Sequence, residues 1–196
     1  MSYTQQLLAW ALHLTQLWIP TSPASPPELR EAIVHDTVEI VMDPAEAPIF
    51  SGPQGREKTV SLVLAIERFE SDFNASVDEG VKRGKAGDAC NMQIVIPRGK
   101  AMRLTADLYT WIWAKDAVET DLTVESLIPG SIPGRRQNCI RAGLHMVRES
   151  FRACRSLSLY TRGDCAPDPK AKHREQLARE SFRRHPPPTA TSEETL

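Results

Sequence analysis

Residues 59–73 read TVSLVLAIERFESDF, and this run decides how the chain folds. Val60, Leu62, Val63, Leu64, Ala65, Ile66 and Phe69 fall on nearly every side of a helix. A helix that is apolar all round belongs inside a protein. A short apolar run also fits a buried strand by pattern alone, but a length of about twelve residues and the continuation to Phe73 favour helix. Glu70 closes this run, beside Ile66, Phe69 and Phe73. A carboxyl in apolar surroundings loses the solvation of its charged form and keeps its proton to higher pH. A general acid working near neutral pH needs that property, so Glu70 is the candidate catalytic acid.

Upstream, Leu7, Trp10, Ala11, Leu14 and Trp18 recur at helical spacing, and Pro20 to Pro27 ends that segment. Leu29, Ile33, Val34, Val38 and Val41 mark a second helix from Glu28 to Met42, followed by a Pro/Gly-rich connection from Asp43 to Glu57. Residues 1–55 therefore read as a separate helical extension and linker. Downstream, Asn74 to Ala89 carries Gly80, Gly84 and Gly87 and reads as a surface loop or small irregular lobe. Met92 to Pro97 is a short apolar run. Leu104, Leu108, Trp111, Ile112 and Val118 predict one helical stripe, with Trp111 on it and Trp113 off it. Thr123 to Arg136 reads as a loop. Ile140, Leu144, Val147, Phe151 and Cys154 form a second stripe. Lys170 to Arg184 is a charged terminal helix with Ala171, Ala178 and Phe182 on one side, and residues 185–196 are expected to be disordered. The fold class is mostly α, with the main domain over residues 56–184.

Hydrophobic residues make up 41% of the chain, enough for an ordinary core. A net charge of −1 gives no electrostatic case for nucleic acid or an anionic membrane. Leu7 to Ile19 is too short and polar to span a bilayer and lacks the preceding cations of a secretory signal, so it reads as an amphipathic helix. Cys90, Cys139, Cys154 and Cys165 fit no zinc spacing. An even count suits disulfides in an oxidising compartment. Four cysteines allow three connectivities; proximity in the chain favours Cys154 with Cys165, leaving Cys90 with Cys139.

Asp72, Asp78, Glu79 and Asp88 are the nearby acids, and all read as solvated loop residues. His145 lies on the polar side of its helix. Trp113, being off the apolar stripe, is the better placed tryptophan to meet a ligand in a cleft.

The run Glu70-Ser71-Asp72-Phe73-Asn74 resembles the Glu-Ser-x-Phe-Asn motif of the lytic transglycosylase and goose-type lysozyme superfamily. Asn91-Met92-Gln93 resembles that family's Gly-Leu-Met-Gln segment, and Leu159-Tyr160-Thr161-Arg162-Gly163 its Ala-Tyr-Asn-x-Gly segment. The three occur in the family's order over roughly residues 56–165. The chain departs from the pattern with Cys90 and Asn91 ahead of Met-Gln and Thr161 for the family's Asn. The resemblance implies a lysozyme-like fold and cleavage of the β-1,4 bond between N-acetylmuramic acid and N-acetylglucosamine, with Glu70 as acid and base. It implies that Ser71, Gln93, Tyr160 and Trp113 bind substrate or support the site. No metal or organic cofactor is implied. Glycan strands of peptidoglycan would be the partner of a monomer or a member of a larger assembly, facing the periplasm or cell wall. A hydrolytic lysozyme would add one of the loop acids; an inactive module would only bind the wall.

Overall fold

The structure is a computed structural model that describes residues 1–20, 22–105 and 111–189. Its centre is the helix α3 (Gly55–Ser71). Two helices precede it, α1 (Tyr3–Trp18) and α2 (Pro27–Met42). After α3 come a short helix α4 (Ala75–Asp78), a two-stranded sheet of β1 (Ala101–Leu104) and β2 (Trp111–Ala114), and then α5 (Arg135–Cys154), α6 (Ser158–Arg162) and α7 (Pro169–Arg184). The described residues are thus mostly helical, as the spacing predicts.

The apolar circumference of α3 is satisfied because α1, α2 and α7 all pack against it. Val60, Val63, Leu64, Ala65 and Ile66 have no exposed surface. Burying one such side chain removes roughly 1.5–3 kcal/mol of unfavourable hydration. The N-terminus of α3 is seated by Arg56, which donates to the carbonyl oxygens of Val41 and Asp43. At its other end Asp72 and Phe73 adopt positive φ, 54° and 51°, and turn the chain away. Phe73 then packs with Ile19 and Ile33 in a small second cluster. Helices α1 and α2 share the main core with α3, α5 and α7, through Leu7, Leu14, Val34 and Val38, rather than packing as a unit of their own.

The predicted helix over Leu104 to Val118 is not found. In its place β1 and β2 pair antiparallel, with Met102 opposite Trp113 and Leu104 opposite Trp111; Leu108 lies outside the described residues. Spacing at three and four misled here because Trp111, Ile112 and Trp113 are aromatic and β-branched residues that suit a pleated surface. Alternation along the strand puts Trp111 and Trp113 on one face, their rings 4.3 Å apart in an edge-on contact. Ile112 points the other way and is half exposed. Residues 74–89 also depart from a plain surface loop, since Val77 and Asp78 on α4 are buried. Of the terminal segment expected to be disordered, His185 accepts a hydrogen bond from the Trp10 indole at 2.6 Å and Pro187 is buried. Residues 190–196 lie outside the described residues.

The cysteines form two disulfides, Cys90–Cys139 with Cα atoms 6.2 Å apart and Cys154–Cys165 at 5.1 Å. Among the described residues no helix is long and apolar enough to cross a membrane. Helix α5 approaches the 90–93 turn so closely that a Cβ on Gly143 would sit 3.0 Å from Met92 Cβ and 2.8 Å from its Cγ. Gly143→Ala should therefore destabilise the protein by about 1–3 kcal/mol through overpacking, although alanine is the better helix former. Urea unfolding monitored by circular dichroism measures this, and an unchanged or raised midpoint would refute the close packing.

Candidate active site

Glu70 stands on the last turn of α3, where the helix emerges from the core. Its side chain is one-fifth exposed, and its Oε1 accepts a hydrogen bond from the Arg174 guanidinium of α7 at 2.6 Å. Arg174 is itself nearly buried and lies 5.4 Å from the centre of the Phe69 ring. Phe69 also meets the His173 ring, 4.7 Å away. The setting of Glu70 is thus an ion pair and an aromatic edge, not the wholly apolar pocket expected from sequence.

The carboxyl in that apolar position is Glu67, one turn earlier. It has no exposed surface. Its Oε2 accepts from the Thr37 hydroxyl of α2 at 3.0 Å, and its Oε1 has no hydrogen-bond partner among the described residues. Burial pushes its pKa up to about 8, against a smaller lowering by Thr37 and Arg136.

Tyr160, on α6, reaches toward the same end of α3. Its phenol donates to the Met92 carbonyl at 2.5 Å, and its backbone N–H donates to the Ser150 hydroxyl at 3.2 Å. The phenol is held well above its ordinary pKa, first by burial and then by the negative charge of Glu70. The 90–93 segment is a tight turn: Gln93 N–H donates to the Cys90 carbonyl at 2.9 Å, and both residues have positive φ. The Gln93 amide group donates to the same carbonyl at 3.0 Å. The Cys90–Cys139 bridge and the antiparallel bonds between Ala89 and Ile94 fix the turn against α5.

Ser71 is buried. Its hydroxyl donates to the Glu67 carbonyl at 2.8 Å and accepts from Phe73 N–H at 3.1 Å, so it shapes the exit from α3. Trp113 is half-buried on β2 against Trp111, so the two tryptophans share a face instead of dividing into core and cleft. The loop acids differ from one another. Asp72 pairs with Arg68 and is exposed. Asp78 is buried, contrary to its reading as a solvated acid, because Arg136 holds both its oxygens, at 3.0 and 2.8 Å, and Asn91 donates to it at 2.9 Å. Glu79 is exposed and accepts from Ser131 at 3.0 Å. Asp88 is half-buried, and its charge adds to the rise at Tyr160.

His145 is buried too, 3.9 Å from Glu46. Glu46 also receives Arg141 and Arg148, each at 2.8 Å. His35, Asp36 and Glu39 present ligand atoms within 4.8 Å of one another and could hold a cation, but Arg136 takes Asp36 at 2.9 Å and Gln137 takes Glu39 at 2.9 Å.

Arg174 and Glu67 escape a reading based on apolar stripes. Arg174 falls between Ala171 and Ala178 at steps of three and four, on the buried side of α7. Glu67 lies inside the run that is apolar all round. Both positions carry the signal of a polar group folded inward.

No protein-family model matches the chain, and no curated protein or solved structure is similar to it.

The raised pKa of Glu67 has a sign that can be tested. In the unfolded chain this carboxyl gives up its proton near its ordinary value of 4.5; in the folded protein it keeps it to about 8. Between those values the folded state binds more protons, so stability falls as pH rises. Glu67's favourable contribution is complete below pH 4.5 and lost as pH passes through 8. Glu67→Gln should flatten this dependence, so its unfolding free energy gains on the parent's between pH 5 and 8. Parallel slopes in chemical denaturation across that range would contradict a protonated Glu67.

Proposed function

We propose that the chain is a lytic transglycosylase with a lysozyme-like fold that cleaves the β-1,4 bond between N-acetylmuramic acid and N-acetylglucosamine in peptidoglycan. The reading rests on the resemblance of the three short motifs. The observation that carries it further is their convergence: the end of α3 with Glu70, the turn holding Gln93, and α6 with Tyr160 come from distant parts of the chain. The Tyr160–Met92 hydrogen bond ties the last two, and the charge of Glu70 bears on Tyr160.

In this mechanism Glu70 gives a proton to the leaving O4. It then takes the proton of the muramyl 6-hydroxyl as that oxygen attacks C1, leaving a 1,6-anhydro end and a neutral balance of protons. The anchored Tyr160 and Gln93 support the substrate side of Glu70 in this reading. Trp113, with Trp111, offers a further aromatic surface to the sugars. Arg174 must release Glu70 before the proton can pass, so the ion pair describes the resting state. The disulfides accord with a periplasmic or wall-facing site of action.

A hydrolytic outcome would need a second carboxylate. Asp78 is committed to Arg136 and Asp72 to Arg68, which leaves Asp88 as the loop acid whose charge bears on Tyr160. The Arg174 pair favours, as a third reading, a module that binds the wall without turnover.

Digestion of purified peptidoglycan, followed by mass analysis of the muropeptides, tests this. The native chain should release anhydro-muropeptides, and Glu70→Gln should lower the rate by about 10²–10⁴-fold, the usual worth of a positioned acid or base. Reducing-end products abolished by Asp88→Asn would replace transglycosylation with hydrolysis, and the absence of any product would overturn the enzyme reading.

A further inference from the structure

Away from Glu70, the first half of α3 helps form a hollow of about 200 Å³ with α5, α7 and the 43–54 connection. Leu62 lies about 12 Å along the helix from Glu70 at 1.5 Å per residue, so this is a separate place. Its walls are apolar: Leu62, Phe50, Phe151 and Phe182, with Phe50 and Phe151 edge-on at 5.5 Å. Two cations, Lys58 and Arg179, stand among the lining residues. Lys58 donates to the Pro53 carbonyl at 2.9 Å and sits 5.9 Å from the centre of the Phe182 ring. Neither contact neutralises its charge. Arg179 is exposed and makes no ion pair among the described residues. Glu175, an acid among the lining residues, accepts the Leu157 N–H through its Oε1 at 2.7 Å, and the two cations outnumber it.

Phe151 is also a wall of a second, more open hollow of about 500 Å³. Arg152 and Arg155 line it and are exposed, Arg152 lying 3.9 Å from Glu149; Arg148, also there, is answered by Glu46. An apolar hole bounded by aromatic rings therefore opens where cations outnumber acids.

We infer that this hollow binds a single-chain amphiphilic anion: a short alkyl or aryl group seated among Phe50, Phe151 and Phe182, carrying a phosphate or comparable anionic head held by Lys58 and Arg179. The size fits, since an apolar cavity of about 150 Å³ takes up a benzene ring. Charge complementarity selects the head group. The occupant comes from solution and not from a membrane face. The large apolar side chains exposed among the described residues are Met1, Leu17, Val81, Ile112, Val118 and Ile132, and none of them lines either hollow. This site does not depend on the proposed function.

Titration calorimetry with octyl phosphate below its micelle concentration tests the inference on the full chain. One-to-one saturable binding is expected, with octanol and inorganic phosphate each at least about tenfold weaker. Lys58→Glu combined with Arg179→Glu should weaken octyl phosphate binding by about tenfold or more while leaving octanol unaffected. These side chains lie at the surface end of the hollow, and circular dichroism checks that the variant folds. A second variant, Ala178→Phe, fills the hole and should abolish binding of both chains. No saturable binding by the native protein, binding indifferent to the charge reversal, or association with phosphatidylglycerol vesicles without uptake of soluble octyl phosphate would each overturn it.

Discussion

From Thr59 to Glu67 helix α3 leaves almost none of its surface to water, and the rest of the molecule is arranged around that fact. Three helices must cover it, so α1 and α2 join the core that α7 closes. Complete coverage then decides the state of the polar groups along that stretch. Ser61 donates to the Ala178 carbonyl, Thr59 to that of Gly55, and Glu67 meets Thr37. Glu70 is spared only because the helix ends there, and α7 answers it with Arg174.

Charged groups tie the remaining elements together. Arg136 of α5 reaches Asp36 on α2 and Asp78 on α4. Arg141 and Arg148, between one and three and a half turns further along the same helix (about 3.6 residues per turn), reach Glu46 in the connection before α3. Buried ion pairs add little net stability, yet removing one partner costs about 3–5 kcal/mol because the other is left stranded. Such pairs fix which segments lie side by side: they hold the 43–54 connection and α4 to α5, and so frame both ends of α3.

Where apolar residues recur over three or more turns, the sequence is enough to place helices, as with α3 and α5. The Leu104 to Val118 segment defeats the same reading because two tryptophans flanking an isoleucine fit alternation as well as they fit a stripe. Polar burial is harder to see. Glu46, Asp78 and His145 carry no local mark, since each is buried by partners about 60 to 100 residues away. Glu67 and Arg174 were legible in principle, each occupying an inward position of a periodic pattern. The separation of Glu67 from Glu70 is a matter of where α3 leaves the core, and that depends on how α7 lies across it.

The Cys90–Cys139 bond joins two residues 49 positions apart and closes the chain between them into a ring. Everything between those cysteines, the β1–β2 hairpin and its two tryptophans included, starts and finishes at one point on α5. Closing a ring of that size removes about 4 kcal/mol of chain entropy from the unfolded state, and doubling its length would change that by only about 0.6 kcal/mol. Chain closure therefore sets little limit on the length of the hairpin lobe, while the turn that carries Gln93 stays pinned to α5 and Met102 keeps the lobe in the main core.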